Sequence, residues 1–154
     1  SITSHSNYLP TSALLPCIEE WTVESGKFNK EMDTSFTLSG TMHLKRIVIG
    51  NFCYGSVRSF GIDGLNELES IVIGEKSVAY VELSLFTNTE QTGNSCRIVN
   101  CPKLVSIEIG EWSFSDYKSL EISHLPSLKS IEMGCGCFHR GLSFSLIGLL
   151  DGLN

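Results

Sequence analysis

The chain has 154 residues, of which 42% are hydrophobic and 18% charged, with a formal net charge of −6 and a pI near 5.1. This is the composition of a folding domain of ordinary size, and its acidic balance argues against nucleic acid or an anionic membrane surface as partner. The longest apolar stretch near the end, FSLIGLL at 144–150, is too short to cross a hydrocarbon layer, so no membrane insertion is expected.

Residues 1–17 fit no periodic pattern and are expected to form a cap or irregular segment over the first coil of a repeat array. The N-terminus has neither the basic region nor the long apolar core of a signal peptide, and Ser1 in place of Met is what a processed form or a fragment would carry. From residue 18 to 154 the chain repeats itself. The first coil, near Ile18, is degenerate, with Trp21 and Val23 at its two key apolar positions. The second reads L-x-x-I-x-I-G at Leu44, Ile47, Ile49 and Gly50, and the third repeats it at Leu68, Ile71, Ile73 and Gly74. The fourth has Leu104, Ile107, Ile109 and Gly110, and the fifth has Leu128, Ile131, Met133 and Gly134. The intervals from Leu44 onward are 24, 36 and 24 residues, so the third coil carries 12 extra residues, placed at about 84–95.

The second half of each unit repeats as well. Phe36, Phe60, Cys96, Leu120 and Phe144 form one column, each preceded by serine, and Leu38, Ile62, Ile98, Ile122 and Leu146 form another. Each unit thus holds two short segments of period two, the signature of a half-buried strand. Between them Tyr54, Val78, Phe114 and Phe138 form an inward column, preceded by small residues at Cys53, Ser77, Ser113 and Cys137. One unit alone buries too little apolar surface to offset the ordering of its backbone, so like units are expected to stack in ladders. The glycine after the first strand is expected to supply a positive φ for a sharp turn. Pro102 and Pro126 fall just before a new coil, where no ladder N–H is needed. The expected fold is a β-rich solenoid of about five coils, with two short parallel strands per coil and little helix.

The pattern L-x-x-I-x-I with an apolar residue five positions later, as in Leu104, Ile107, Ile109 and Phe114, resembles the leucine-rich repeat family. IGEWSFSDYKSL is similar to the BspA-type subgroup through Ile109, Gly110, Phe114 and Leu120, with Ser113 at the small position and Tyr117 where that subgroup often has Cys. The 24-residue unit is one residue longer than that subgroup's. The asparagine that such repeats stack inside the turn is replaced by Phe52, Lys76, Trp112 and Gly136. The resemblance covers about residues 18–148 and implies a right-handed curved solenoid used for protein recognition, often at a cell surface.

Recognition on such a scaffold would use outward residues of a strand ladder and any loop that breaks the period. The outward candidates are Arg46, Val48, Val72, Glu108 and Glu132, a face that changes from basic and apolar to acidic along its length. The loop candidates are Thr87, Asn88, Glu90, Gln91 and Asn94, in a polar, turn-rich stretch preceded by YVELSLF, which has the pattern of a further short strand. Against these stand an ordinary solvated sheet face and a tolerated surface excursion.

Signals for chemistry are weak. CGCFH brings Cys135, Cys137 and His139 together without paired C-x-x-C knuckles, and Cys53, Cys96, Cys101 and Cys137 fall on ladder columns as buried thiols would. No metal, cofactor or catalytic group is expected. The serines beside the second strand recur in every coil, as a hydrogen-bonded ladder does and an activated nucleophile does not. The thiols and the lack of an N-x-S/T sequon agree with a reducing compartment; the family resemblance points to the cell surface instead. The expected function is a non-catalytic, leucine-rich-repeat protein-binding module, the alternative being a structural or adhesion spacer in a longer array. At the C-terminus Leu146, Ile147, Leu149 and Leu150 lack an evident cover, so further coils or end-to-end association with another molecule is expected.

Overall fold

The computed structural model describes residues 2–4, 18–27, 29, 35–40, 43–78, 94–139 and 143–147. Eleven strands and no helix occur among them: β1 (Ile2–Ser4), β2 (Glu20–Val23), β3 (Ser35–Ser39), β4 (Arg46–Ile49), β5 (Ser59–Asp63), β6 (Ser70–Ile73), β7 (Ser95–Val99), β8 (Ser106–Ile109), β9 (Ser119–Ser123), β10 (Ser130–Met133) and β11 (Ser143–Ile147). All pair in parallel, in two sheets ordered β1-β2-β4-β6-β8-β10 and β11-β9-β7-β5-β3. The chain is a parallel β-solenoid in which each coil gives one strand to each sheet.

Register follows the sequence columns. Trp21, Ile47, Ile71, Ile107 and Ile131 stack in the first sheet, and Phe36, Phe60, Cys96, Leu120 and Phe144 in the second. A one-residue slip would turn every inward side chain to solvent, so burial on one face fixes the pairing. The core rings of Trp21, Phe36, Phe60, Phe114 and Phe138, and the exposed ring of Phe144 beyond them, follow one another at centroid distances of 5.0 to 5.9 Å. This spine runs from the first coil to the last, within the range where offset and edge-on ring packing is favourable.

Among the described residues, three corner columns are left-handed. Phe52, Lys76 and Trp112 continue a column begun by Gly26 and ended by Gly136. Tyr54, Val78, Phe114 and Phe138 form a second such column, and Gly40, Gly64, Asn100 and His124 a third. Nine of these residues are not glycine, and their φ values lie between 50 and 58°, a conformation that costs roughly 1–2 kcal/mol each. Stacking offsets the cost, because the corner N–H groups bond to neighbouring coils: Val78 N–H donates to Cys53 O at 2.7 Å and Lys76 N–H to Glu111 O at 2.8 Å.

The glycine column has a different cause from the one expected. Gly50, Gly74 and Gly110 do not have positive φ. Each instead donates its N–H to the last strand residue of the coil before it, Gly50 to Val23 O at 2.8 Å and Gly110 to Ile73 O at 2.7 Å. At that approach a Cβ on Gly110 would lie 2.6 Å from Glu75 N, so close backbone passage, and not turn geometry, excludes a side chain. In the N-terminal segment, where a cap or irregular structure is expected, Ile2–Ser4 pairs in register with β2 and adds a sixth strand to the first sheet.

Candidate functional site

The outward face of the first sheet carries two ladders. One runs Glu20, Arg46, Ser70, Ser106 and Ser130, the other Thr22, Val48, Val72, Glu108 and Glu132. Successive rungs of a sheet lie about 4.8 Å apart, so Glu108 and Glu132, exposed and directly paired in register, present adjacent carboxylates. An open groove of about 370 Å³ lies over the last three rungs, lined by Val72, Glu108 and Glu132 of the outward ladder and, where the strands end, by Gly110, Gly134 and Met133 of the inward column. The glycines that let the coils approach each other thereby add no side chain there.

Of the five predicted ladder residues, the groove brings together Val72, Glu108 and Glu132. Arg46 and Val48 stand on an earlier rung outside it. The loop candidates Thr87, Asn88, Glu90 and Gln91, and the YVELSLF segment at 80–86, lie outside the described residues. Asn94 is a correction. It is buried, its backbone carbonyl accepts from Lys118 N–H at 2.9 Å, and its side-chain amide donates to Asp116 O at 3.3 Å. The coil has therefore resumed by Asn94, whose register matches Arg58, and the excursion is confined to 79–93.

Sequence reasoning missed a ridge on the corner beside the groove. Phe52 and Trp112 are exposed in left-handed conformation, with the Lys76 ammonium 5.5 Å from the Phe52 ring centre and Trp112 6.3 Å from the His139 ring. These residues occupy the turn position at which leucine-rich repeats stack an asparagine, and a large aromatic at such a position carries no sign in the sequence that it faces solvent. The internal polar ladder runs one residue later. Ser77 Oγ donates to Gly50 O at 2.7 Å and accepts from Cys53 N–H at 3.1 Å, while Ser113 Oγ donates to Gly74 O at 2.7 Å and accepts from Ser77 N–H at 3.1 Å. Cys53 and Cys137 extend it with thiols that donate to Glu24 O and Gly110 O.

Charge pairs line the other corners. A hydrogen bond from Lys45 holds the Glu19 carboxyl below its ordinary value, and one from Lys103 does the same for Glu67. Burial pushes the Cys53, Cys96 and Cys101 thiols up. Ser123 Oγ donates to Glu121 Oε1 at 3.2 Å and lies 3.2 Å from His124 Nδ1, but the carboxylate meets the serine instead of the imidazole and the hydroxyl is buried, which is not the arrangement of a nucleophilic triad. Among the described residues, no three His, Cys, Asp or Glu side chains gather as a metal site would require, and no helix is long and apolar enough to cross a membrane.

No protein-family model matches the chain, and no curated protein or solved structure matches it.

Proposed function

We propose that the chain is a non-catalytic protein-recognition module built on coils of leucine-rich-repeat type, with its contact surface on the outward face of the first sheet. The observation that carries this reading is the groove over the last three rungs, where the apolar Val72 stands in the same outward ladder as the Glu108 and Glu132 carboxylates. A rigid ladder holds these side chains at fixed spacing, so little side-chain order is lost when a partner docks. Their charge favours an extended partner segment carrying Lys or Arg, and disfavours nucleic acid. Support for the repeat type comes from the inward columns, the glycine after the first strand, and the Ser77–Ser113 ladder, which takes the place of the family's stacked asparagine.

Selection from a displayed library of extended peptides tests the reading. The parent is expected to enrich basic sequences, and a Glu108→Lys, Glu132→Lys variant of unchanged melting temperature is expected to lose them. Equal enrichment by both proteins would move the contact surface elsewhere. No enrichment by either would leave the spacer role as the better account.

A further inference from the structure

The corner column that carries Phe52, Lys76 and Trp112 is bonded from coil to coil. Phe52 N–H donates to Glu75 O at 3.0 Å, Lys76 N–H to Glu111 O at 2.8 Å and Trp112 N–H to Cys135 O at 2.9 Å. Phe52 and Trp112 therefore stand on alternate rungs, about 9.6 Å apart along the solenoid. Each ring is seated. The Lys76 ammonium lies 5.5 Å from the Phe52 ring centre, and the Trp112 indole rests on Gly136, where an added Cβ would meet its Cδ2 and Cε3 at 2.6 Å. Both rings remain open on the outside, Phe52 at 53% and Trp112 at 45% exposure. They belong to the second and fourth coils, so their exposure comes from the corner position and not from an end of the array.

The residue before each member of this column is polar and exposed. Glu75 and Glu111 present carboxylates, while Asn51 Oδ1 accepts Glu75 N–H at 2.9 Å, which fixes the amide and leaves its hydrogens to donate elsewhere.

We infer that this ridge binds a proline-rich segment in the polyproline II conformation. Such a chain has three residues per turn and rises ~3.1 Å per residue, so residues i and i+3 face the same side about 9.3 Å apart. That repeat matches two rungs and sets one proline ring on Trp112 and another, three residues away, on Phe52. An extended strand presents same-face side chains about 6.8 Å apart and misses the second ring. A helix presents one every ~5.4 Å and so sets a side chain on the rung that Lys76 already fills.

The polar groups fit the same occupant. Polyproline II leaves its carbonyls without internal partners, and the Asn51 amide and the Trp112 indole N–H are donors along the ridge. The two carboxylates favour a segment with Arg or Lys beside its prolines. Both partners are stiff before they meet, the segment because its backbone is already in shape and the rings because each is seated, so docking costs little order. The ridge shares no residue with the groove on the outward face.

Calorimetric titration of the 154-residue chain tests this with hexaproline carrying a C-terminal arginine, against a glycine-serine peptide of the same length and ending. The proline peptide is expected to bind at least about tenfold more tightly than the control, a comparison that needs no variant. Phe52→Ala and Trp112→Ala, at side chains already exposed, are each expected to weaken it by about tenfold or more at unchanged melting temperature. Phe52→Ala with Lys76→Phe keeps two rings but sets them on adjacent rungs, and is expected to bind as weakly as Phe52→Ala alone. Glu108→Lys with Glu132→Lys is expected to bind the proline peptide as the parent does, so the ridge and the groove are read separately. Equal binding of the two peptides, full binding with the rings on adjacent rungs, loss of binding in the groove variant, or retention on a soluble glucan in place of the peptide would each overturn the inference.

Discussion

Ser113 holds two neighbouring coils at once, giving its proton to Gly74 O and taking that of Ser77 N–H, in a position closed to water. Truncation to alanine would strand both backbone groups, and a buried group left without a partner costs roughly 1–3 kcal/mol. Ser113→Ala is therefore expected to destabilise by about 2 kcal/mol, read from the urea midpoint at constant slope. Ser113→Cys is expected to cost clearly less, because the same column already accepts thiols at Cys53 and Cys137, each donating to a carbonyl of the coil before. An alanine variant as stable as the parent would mean that the ladder is incidental to coil stacking.

At the scale of strands and corners, two glycines with opposite constraints separate close passage from backbone handedness. Gly110 has ordinary φ but no room, since an added Cβ would meet Glu75 N and Gly74 C at 2.6 Å. Gly64 has φ of +70° and nothing within 4 Å of an added Cβ. Gly64→Ala is expected to cost about 1 kcal/mol, the penalty of a left-handed L-residue, and Gly110→Ala about 3 kcal/mol, since neighbouring backbone must move. Thermal or urea unfolding of the pair checks the order; the reverse order would mean that the turn and not the passage sets the requirement. The strands themselves were legible in advance, because apolar columns such as Ile47, Ile71 and Ile107 recur in every coil and alternation fixes which face they take. The glycine column was legible as a position but not as a cause, since a recurring small residue reads the same whether it relieves φ or contact. The left-handed corners at Phe52, Val78 and Trp112 were not legible, because these side chains disfavour that conformation and only inter-coil hydrogen bonds impose it. Likewise the groove follows from outward ladder positions, but its boundary at Gly110 and Gly134 required knowing how closely the coils pass.

Across the whole molecule, the core distributes its ionisable thiols among successive coils. Cys53, Cys96 and Cys101 are buried with their thiols pushed up by desolvation, and burial pushes the Tyr54 and Tyr117 phenols up as well. In each case the folded value exceeds the unfolded one, so the unfolded chain ionises first as pH rises. The stability these groups contribute is full below the ordinary thiol value of 9.0 and is lost progressively above it. The urea midpoint is expected to fall between pH 8 and pH 10.5 under reducing conditions. A flat alkaline limb would contradict the burial of the thiols.

The excursion at 79–93 leaves no trace in the pairing around it, since β5 meets β7, and β6 meets β8, residue for residue. Fifteen residues there replace the three that join Tyr54 to Arg58 one coil earlier. The corner after Val78 is thus a socket that takes a longer connection without a shift of register on either side. Equivalent corners follow Tyr54 and Phe114, so peptides grafted at those two points would be displayed along one edge at intervals set by the rung spacing, which makes the molecule a ready ruler for arranging epitopes in a line.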